Sequence, residues 1–246
     1  MDPTCQFCGL VDKTRCKTKA QADDCKHAPV EGRSPVIASG PFEGMKRLHY
    51  GAILADPPWT FETRSDEGKG RSPEQHYQCM NLDDIKALPV QDVAAKNCVL
   101  FLWIIDTHLP MALEVIEAWG FTYKTKAFNW IKLNAGGGDM PAADPKTFFT
   151  GMGFWTRANP EDVLLATKGK PKRNEGGGGV RRLIVAERRE HSRKPDDIFG
   201  RIEALVPGPY LELFSREKRL GWDCWGNEVG KFNAQPAYDP EIEDLI

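Results

Sequence analysis

Apolar positions along the chain fall into two patterns, short continuous runs and runs with a helical period. Continuous runs are typical of strands buried on both faces, and the helical period indicates amphipathic helices. The first pattern predicts a strand ending at Ala55 and strands over 98–105, 121–133, 161–169, 181–187 and 210–217. The second predicts helices over 109–120 and 195–208. Because strands alternate with helices, we predict an α/β fold with a mostly parallel sheet and helices on both faces.

The chain divides into three segments of different composition. Residues 1–33 are polar and contain four of the seven cysteines, so we expect a small appendage there. Residues 34–230 contain all the predicted strands and helices, and a segment of this length fits one α/β domain. Residues 231–246 lack hydrophobic periodicity and end in an acidic stretch, which predicts a loose tail.

The composition argues against a membrane or secreted protein. No apolar run approaches the ~18–20 residues of a membrane span, and the N-terminal residues lack the apolar core of a signal peptide. We therefore expect a cytoplasmic protein without a membrane partner. Its cysteines are expected to be reduced, buried or metal-bound rather than paired in disulfides.

The most informative local sequence is "ADPPW", residues 55–59, where an apolar run ends in a carboxylate, two prolines and a tryptophan. Proline donates no ladder hydrogen bond, so Asp56–Trp59 is predicted to be a rigid turn just past the end of a buried strand. In open α/β sheets, ligands bind at this carboxyl edge. A tight loop with a packed tryptophan is the alternative interpretation of these residues taken alone.

The turn offers the groups needed to methylate an amine conjugated to an aromatic ring, such as the 6-amino group of adenine. The lone pair of such an amine is delocalised, and acceptors that hold both N–H bonds let the nitrogen become pyramidal and free it. A carboxylate and a proline carbonyl are such acceptors, and stacking on an aromatic face is worth ~1–3 kcal/mol per base. The base must leave its helix or come from a single strand. The candidate catalytic residues are Asp56, Pro57, Pro58 and Trp59.

Several further stretches follow the turn in a fixed order. They are "HYQCMNLDDIKAL", "LFLWI", "AWGF", "NWIKLN", "HSRKPDDIFGRIEALVPG", "LELFSRE" and "GWDCWGNE". With "ADPPW", over roughly Tyr50–Glu228, they resemble the MT-A family of S-adenosylmethionine-dependent N(6)-adenine methyltransferases, named for the seventy-kilodalton subunit of the messenger-RNA enzyme. The last stretch resembles the bacterial and phage branch. The resemblance implies a Rossmann-like methyltransferase sheet that is circularly permuted, with the catalytic turn before the cofactor strand.

The resemblance also implies S-adenosylmethionine as cofactor and methyl donor. Asp56 would touch both the target amine and the methionine moiety, and Lys194 would bind the donor carboxylate. Lys194 has separate support, because a cation before a helix N-terminus is disfavoured by the dipole; a solvated lysine is the alternative. The other implied cofactor residues are Leu213, Phe214, Arg216, Asn227 and Glu228. Core packing is the alternative for the two hydrophobic ones, and solvation the alternative for Glu228.

The chain departs from the family pattern at two places. Members of the eukaryotic branch follow the phenylalanine with Gly-Arg-Pro-His-Asn, whereas this chain has "SREKR" over 215–219. The upstream aspartate that contacts adenine in that branch has no match in "PVIASG". Contacts made by those family residues are therefore not transferred to this chain.

A basic segment precedes Lys194. Between Lys168 and Lys194 the chain has ten Lys or Arg residues and three Glu, although its net charge is −2. A glycine-flanked basic segment beside the catalytic edge suits a phosphate backbone, and a solvated loop is the alternative. The candidate substrate-binding residues are Arg181, Arg182, Arg188 and Arg189, together with Tyr77 and Lys132 from the family stretches.

The N-terminal cysteines Cys5, Cys8, Cys16 and Cys25 are candidate ligands of a structural zinc ion. Four thiolates can close a tetrahedral site in a segment too polar to form its own core. Their spacing differs from the paired C-x2-C motifs of common zinc ribbons, so free thiols are the alternative.

The leading hypothesis is methylation of adenine N(6) in nucleic acid, with DNA favoured over RNA, by a protein that acts alone or as a homodimer or heterodimer. A second hypothesis is methylation of another amine, in cytosine or a protein glutamine, although such enzymes usually carry Ser- or Asn-Pro-Pro-Tyr turns. The third is a non-catalytic scaffold subunit that binds nucleic acid. Inactive relatives typically lose the aspartate or the aromatic residue, and this chain has both.

Overall fold

The computed structural model describes residues 35–60 and 79–232, apart from 140, 142, 143, 145, 154, 191 and 192. These residues form one sheet of seven strands with four α-helices. The strands are β1 (Tyr50–Ala55), β2 (Ala94–Ile104), β3 (Thr122–Leu133), β4 (Glu161–Lys168), β5 (Leu183–Glu187), β6 (Tyr210–Leu213) and β7 (Trp222–Trp225). The helices are α1 (Leu82–Ala87), α2 (Val90–Val93), α3 (Leu109–Ala118) and α4 (Asp197–Leu205).

The strand order is β5-β3-β4-β2-β1-β6-β7. Only β4 runs antiparallel to its neighbours, and the other adjacent pairs are parallel. This confirms the predicted α/β, Rossmann-like sheet. β1 pairs with β2 and with β6, so that Ala55 lies opposite Leu102 on one side and Leu213 on the other. The order therefore places the end of β1 beside the end of a strand that follows it by more than 150 residues.

Helices cover both faces of the sheet, as the apolar pattern predicts. Ile53 and Ala55 belong to a core cluster that includes residues of α1, α2 and α3. Ala52 and Leu54 belong to a second cluster that includes residues of α4. Because side chains alternate between the two faces of a strand, β1 is buried on both sides and forms a rigid support for the residues that follow it.

The structure differs from the predicted elements at several ends. β6 stops at Leu213 rather than at residue 217, because Phe214 has a φ of 62° and leaves the strand. The short helices α1 and α2 and the four-residue strand β7 were not predicted, since segments of this length are too short to show a clear period. The Asn81 side chain caps α1 by accepting a hydrogen bond from the Asp84 N–H.

Two predicted segments lie largely outside the described residues, namely the cysteine-rich appendage over 1–33 and the tail over 231–246. The domain boundaries and the circular permutation stay predictions. Among the helices that the structure describes, none is long and apolar enough to cross a bilayer.

We predict that Leu100→Ala in β2 lowers the free energy of unfolding by about 2–5 kcal/mol, because it leaves a cavity where a fully buried side chain packs. The matched change Leu113→Ala, at a residue that is 39% exposed on α3, should cost less than about 1 kcal/mol. Urea denaturation of the two variants measures both values. Equal losses would contradict the difference in burial between the two leucines.

Candidate active site

The Asp56–Trp59 turn leaves the carboxyl end of β1. Asp56 follows the last strand residue, and its side chain is 30% exposed. Neither Pro57 nor Pro58 has an N–H, so the ladder ends there. The Pro57 carbonyl accepts a hydrogen bond of 2.8 Å from the Trp59 N–H, and a carbonyl oxygen has a second lone pair. The turn therefore places the partly exposed carboxylate of Asp56 and the carbonyl oxygen of the buried Pro57 at the edge of the sheet.

Four charged side chains from separate segments meet beside this turn. Lys194 Nζ lies 2.7 Å from Asp56 Oδ2 and 3.4 Å from Glu161 Oε2. Lys132 Nζ lies 2.6 Å from Glu161 Oε1. The four side chains are only 15–30% exposed. They form a row of alternating charge in which two carboxylates balance two ammonium groups.

Glu161 is the member of this row that sequence reasoning missed. Burial alone would raise the pKa of its carboxyl, but Lys194 and Lys132 act in the opposite direction and hold the pKa below its ordinary value of 4.5. The carboxylate is therefore charged at neutral pH. Its signal in the sequence is an acidic residue at the start of an apolar strand, which by itself is equally consistent with a solvated strand end.

Two tryptophans lie under the lysines. Lys194 Nζ is 5.4 Å from the centroid of a Trp103 ring, and Lys132 Nζ is 5.4 Å from that of a Trp130 ring. Both distances are within the range of cation–π attraction. The two tryptophans are almost fully buried and contact each other edge to face. The two ammonium groups thus lie over the rings of two buried tryptophans.

Trp59 is held at one edge of its ring. Its Nε1–H donates to the Trp103 carbonyl at 3.3 Å, and its ring centroid lies 5.7 Å from that of His108. His108 Nε2 lies 3.2 Å from the Thr60 carbonyl oxygen and donates to it. Burial lowers the pKa of His108, which is neutral at pH 7. Trp59 is half-buried, so it both packs against the core and keeps part of its surface open.

One predicted cofactor residue, Phe214, has a strained backbone. Phe214 is a non-glycine residue with positive φ, a conformation that costs about 1–3 kcal/mol and is concentrated at functional sites. The next residue, Ser215, donates its N–H to the Trp225 carbonyl at 2.9 Å. A Cβ added to Gly226 would lie 2.7 Å from the Ser215 carbonyl oxygen, so only glycine fits there. This close approach fixes the two connections that carry the predicted cofactor residues.

Two of the predicted cofactor residues form an ion pair, and the others differ in how deeply they are buried. Arg216 Nε lies 3.2 Å from Glu228 Oε2, so the two side chains form an ion pair across the connections. Leu213 is fully buried, which supports packing as its role, while Asn227 is exposed. Phe214 contacts Trp225 edge to face.

Comparison with known proteins assigns the chain to a family. The MT-A70 family model matches residues 50–228. This chain belongs to the MT-A70 family. It is 31% identical to the type II methyltransferase M.MunI of Mycoplasma sp over 219 residues, which cover 82% of this chain and 88% of M.MunI.

Eukaryotic relatives match a smaller part of their own length. Identity to the N(6)-adenosine-methyltransferase MT-A70-like of Arabidopsis thaliana is 29% over 184 residues, which cover 73% of this chain and 24% of that protein. Identity to the human N(6)-adenosine-methyltransferase catalytic subunit METTL3 is 29% over 197 residues, which cover 78% of this chain and 30% of that protein. These matches confirm the resemblance inferred from the motifs.

The MT-A70 match extends over the four arginines predicted to bind nucleic acid, and the structure places them differently. Arg181 and Arg188 are exposed, and the Arg188 guanidinium stacks 3.7 Å from the Phe149 ring centroid. Arg182 makes a long contact of 3.4 Å with the Thr125 hydroxyl. Arg189 is half-buried and pairs with Asp196. Lys132 lies in the charged row.

The remaining predicted residues of this MT-A70 protein lie outside the described part of the chain. They are Tyr77 and the cysteines Cys5, Cys8, Cys16 and Cys25. Within the described residues, no group of three or more His, Cys, Asp or Glu side chains could hold a metal ion. The zinc site stays a prediction from the sequence.

We predict that Glu161→Gln destabilises this MT-A70 domain by about 1–3 kcal/mol at pH 7, because two partly buried lysines lose a charged partner. The folded-state pKa of Glu161 is depressed, so its contribution is present above pH 4.5 and is lost as the pH falls through the folded-state value. The difference between wild type and variant should therefore shrink at about pH 3.

Urea denaturation at the two pH values measures this difference. Glu114→Gln is the matched control, because Glu114 pairs with Lys86 at 2.9 Å but is 54% exposed. It should change stability by less than about 1 kcal/mol. A Glu161→Gln loss that is the same at both pH values would show that the charge of Glu161 is not the cause.

Proposed function

We propose that this protein transfers the methyl group of S-adenosylmethionine to the 6-amino group of adenine in nucleic acid, with DNA as the favoured substrate. The observation that carries the proposal is the position of Asp56, whose carboxylate lies at the carboxyl end of a buried strand, 2.7 Å from Lys194 Nζ and close to the half-buried Trp59. We favour DNA because the match with M.MunI covers most of both chains, whereas the N(6)-adenosine-methyltransferases extend far beyond it.

The charged groups at this edge fit the polar ends of S-adenosylmethionine. Its methionine part carries a carboxylate and an ammonium group, for which Lys194 and Asp56 have complementary charges. Its ribose hydroxyls are donors, and the two carboxylate oxygens of Glu228, which pair with Arg216 and Lys231, have further lone pairs that can accept them. When bound, the donor supplies an electrophilic methyl group on its sulfonium sulfur.

Asp56, Pro57 and Trp59 are assigned to the adenine. The Asp56 carboxylate accepts one N–H of the amine, and the second lone pair of the Pro57 carbonyl accepts the other, which frees the nitrogen lone pair for attack. The open face of Trp59 stacks on the base. Because the Trp59 indole N–H is bonded to the Trp103 carbonyl, the ring keeps its orientation.

The exposed arginines on either side of β5 are assigned to the phosphate backbone. Arg181 precedes this strand and Arg188 follows it, and both side chains face solvent. The strand pairs with β3, which carries Lys132 of the charged row. Arg188 therefore lies at the same edge of the sheet as Lys132, and a phosphate backbone that contacts Arg188 would pass close to the site, whereas Arg181 would contact the backbone at the other end of β5.

The decisive experiment incubates the purified protein with labelled S-adenosylmethionine and with duplex DNA, single-stranded DNA or RNA. Hydrolysis to nucleosides and mass spectrometry then identify the product. N(6)-methyldeoxyadenosine is expected. Product only in RNA would keep the chemistry and change the substrate, whereas methylcytosine or label in protein would contradict the adenine assignment.

We predict that Asp56→Ala lowers methyl transfer by about 100-fold or more, because the acceptor of the amine N–H is lost while the core is unaltered. The matched control is Asp92→Ala. Asp92 pairs with Arg47 away from the turn and is 37% exposed, close to the 30% of Asp56. Thermal melting checks that both variants fold. An Asp56→Ala variant with wild-type activity would contradict the proposed role of Asp56 in methyl transfer.

We predict that Arg181→Ala and Arg188→Ala each weaken nucleic-acid binding and reduce the slope of log K against log salt by ~0.7–0.9. Arg47→Ala removes the same charge before the start of β1, a strand that three others separate from β5 in the sheet, and should leave the slope unchanged. Fluorescence anisotropy across a salt series gives the slopes. An arginine variant that keeps the wild-type slope does not contact a phosphate.

A further inference from the structure

An arginine–aspartate–arginine bridge holds the connection in which Lys194 lies. Arg189 Nη1 is 2.6 Å from Asp196 Oδ2, and Arg189 Nη2 donates to the backbone carbonyl of Lys194. Arg219 Nη2 is 2.7 Å from Asp196 Oδ1. Each oxygen of the carboxylate thus binds one arginine, and one of these arginines also holds the backbone of Lys194.

The second arginine ties this bridge to another part of the site. Arg219 lies in the connection between β6 and β7, which follows the strained Phe214. Its guanidinium stacks 3.9 Å from the ring centroid of Phe199 on α4. A parallel link joins Arg193 to Glu217 at 3.3 Å. The bridge therefore fixes the Lys194 connection against the connection that carries the predicted cofactor residues.

The geometry at Arg189 requires a guanidinium. Two nitrogens of one planar fork bind a carboxylate and a carbonyl at the same time, which a lysine ammonium cannot reproduce with the same spacing. Burial tends to raise the pKa of Asp196, but Arg189 and Arg219 outweigh it and lower the pKa, so the bridge stays charged at neutral pH. While its carbonyl is held here, Lys194 directs its ammonium group toward Asp56.

We propose that Asp196 is a positioning residue for donor binding, which acts by holding Arg189 against the backbone of Lys194 and Arg219 against the connection after β6. This inference rests on the proposed role of Lys194 in binding the donor carboxylate. It also assigns Arg189 a different role. The basic run in the sequence predicts that Arg189 binds nucleic acid, whereas the proposal gives it a supporting role at the donor site.

The adjacent residue Asp197 provides a matched control. Both aspartates lie at the N-terminus of α4, their side chains are 48% and 54% exposed, and each pairs with an arginine at 2.6–2.7 Å. Asp197 binds Arg201, four residues later on the same helix. Among the described residues, Arg189, the partner of Asp196, donates to the Lys194 carbonyl, and Arg201 does not. A loss of helix capping charge affects the two positions alike, whereas a loss of positioning affects Asp196 alone.

Isothermal titration of S-adenosylmethionine into the full-length variants tests the proposal. Asp196→Asn should weaken donor affinity about tenfold, with the fraction of binding-competent protein and the nucleic-acid affinity unchanged, while Asp197→Asn stays within about twofold of wild type. A folding defect would instead lower the binding-competent fraction. Equal donor affinity for the two variants would overturn the proposal.

Two further variants separate this proposal from the one on which it rests. Arg189→Lys keeps the positive charge but not the fork, so it should weaken donor binding while keeping the salt dependence of nucleic-acid binding; wild-type donor affinity would overturn the positioning role. If Lys194→Ala binds the donor as wild type does, the assignment of Lys194 itself fails. If Lys194→Ala binds weakly and Asp196→Asn binds normally, only the positioning role fails.

Discussion

The ion pair between Lys194 and Asp56 is the contact on which the candidate site depends. It joins side chains 138 positions apart in the chain, one after β1 and one before α4. Partly buried charges are costly unless each has a partner, so the turn, the connection and Glu161 stabilise one another. Removing one member leaves an opposite charge with fewer partners. The site is thus a property of the assembled sheet rather than of any one segment.

The sheet makes this contact possible through its strand order. Because β1 lies between β2 and β6, its carboxyl end lies beside the connection that follows β6, and Arg219 in that connection pairs with Asp196, two residues after Lys194. A shift of β1 by one residue would exchange the side chains that pack in the two core clusters. The rigid strand therefore sets the position of Asp56, and the arginine–aspartate–arginine bridge does the same for Lys194. Two independent supports hold the two ends of one short ion pair.

Features that depend on local chemistry could be predicted from the sequence, whereas features that depend on contacts between distant segments could not. The Asp56 turn follows from proline chemistry and a buried apolar run, both of which are local. Glu161 was missed because an acid at a strand end has the same appearance whether water or two lysines surround it. Arg189 was predicted to contact nucleic acid from a basic run, which does not show that its guanidinium pairs with Asp196. The strain at Phe214 is a backbone property that residue type does not reveal.

By itself, the sequence determined the alternation of strands and helices, the position of the Asp56–Trp59 turn and the family, because periodicity, proline chemistry and motif order are local properties of the chain. Only the tertiary structure decided which charges meet. The row from Asp56 to Lys132, the ion pair of Arg216 with Glu228 and the ion pair of Arg219 with Asp196 depend on how the fold brings separate segments within a few ångströms. Ion pairing falls off within a few ångströms, and linear spacing contains no information on that scale.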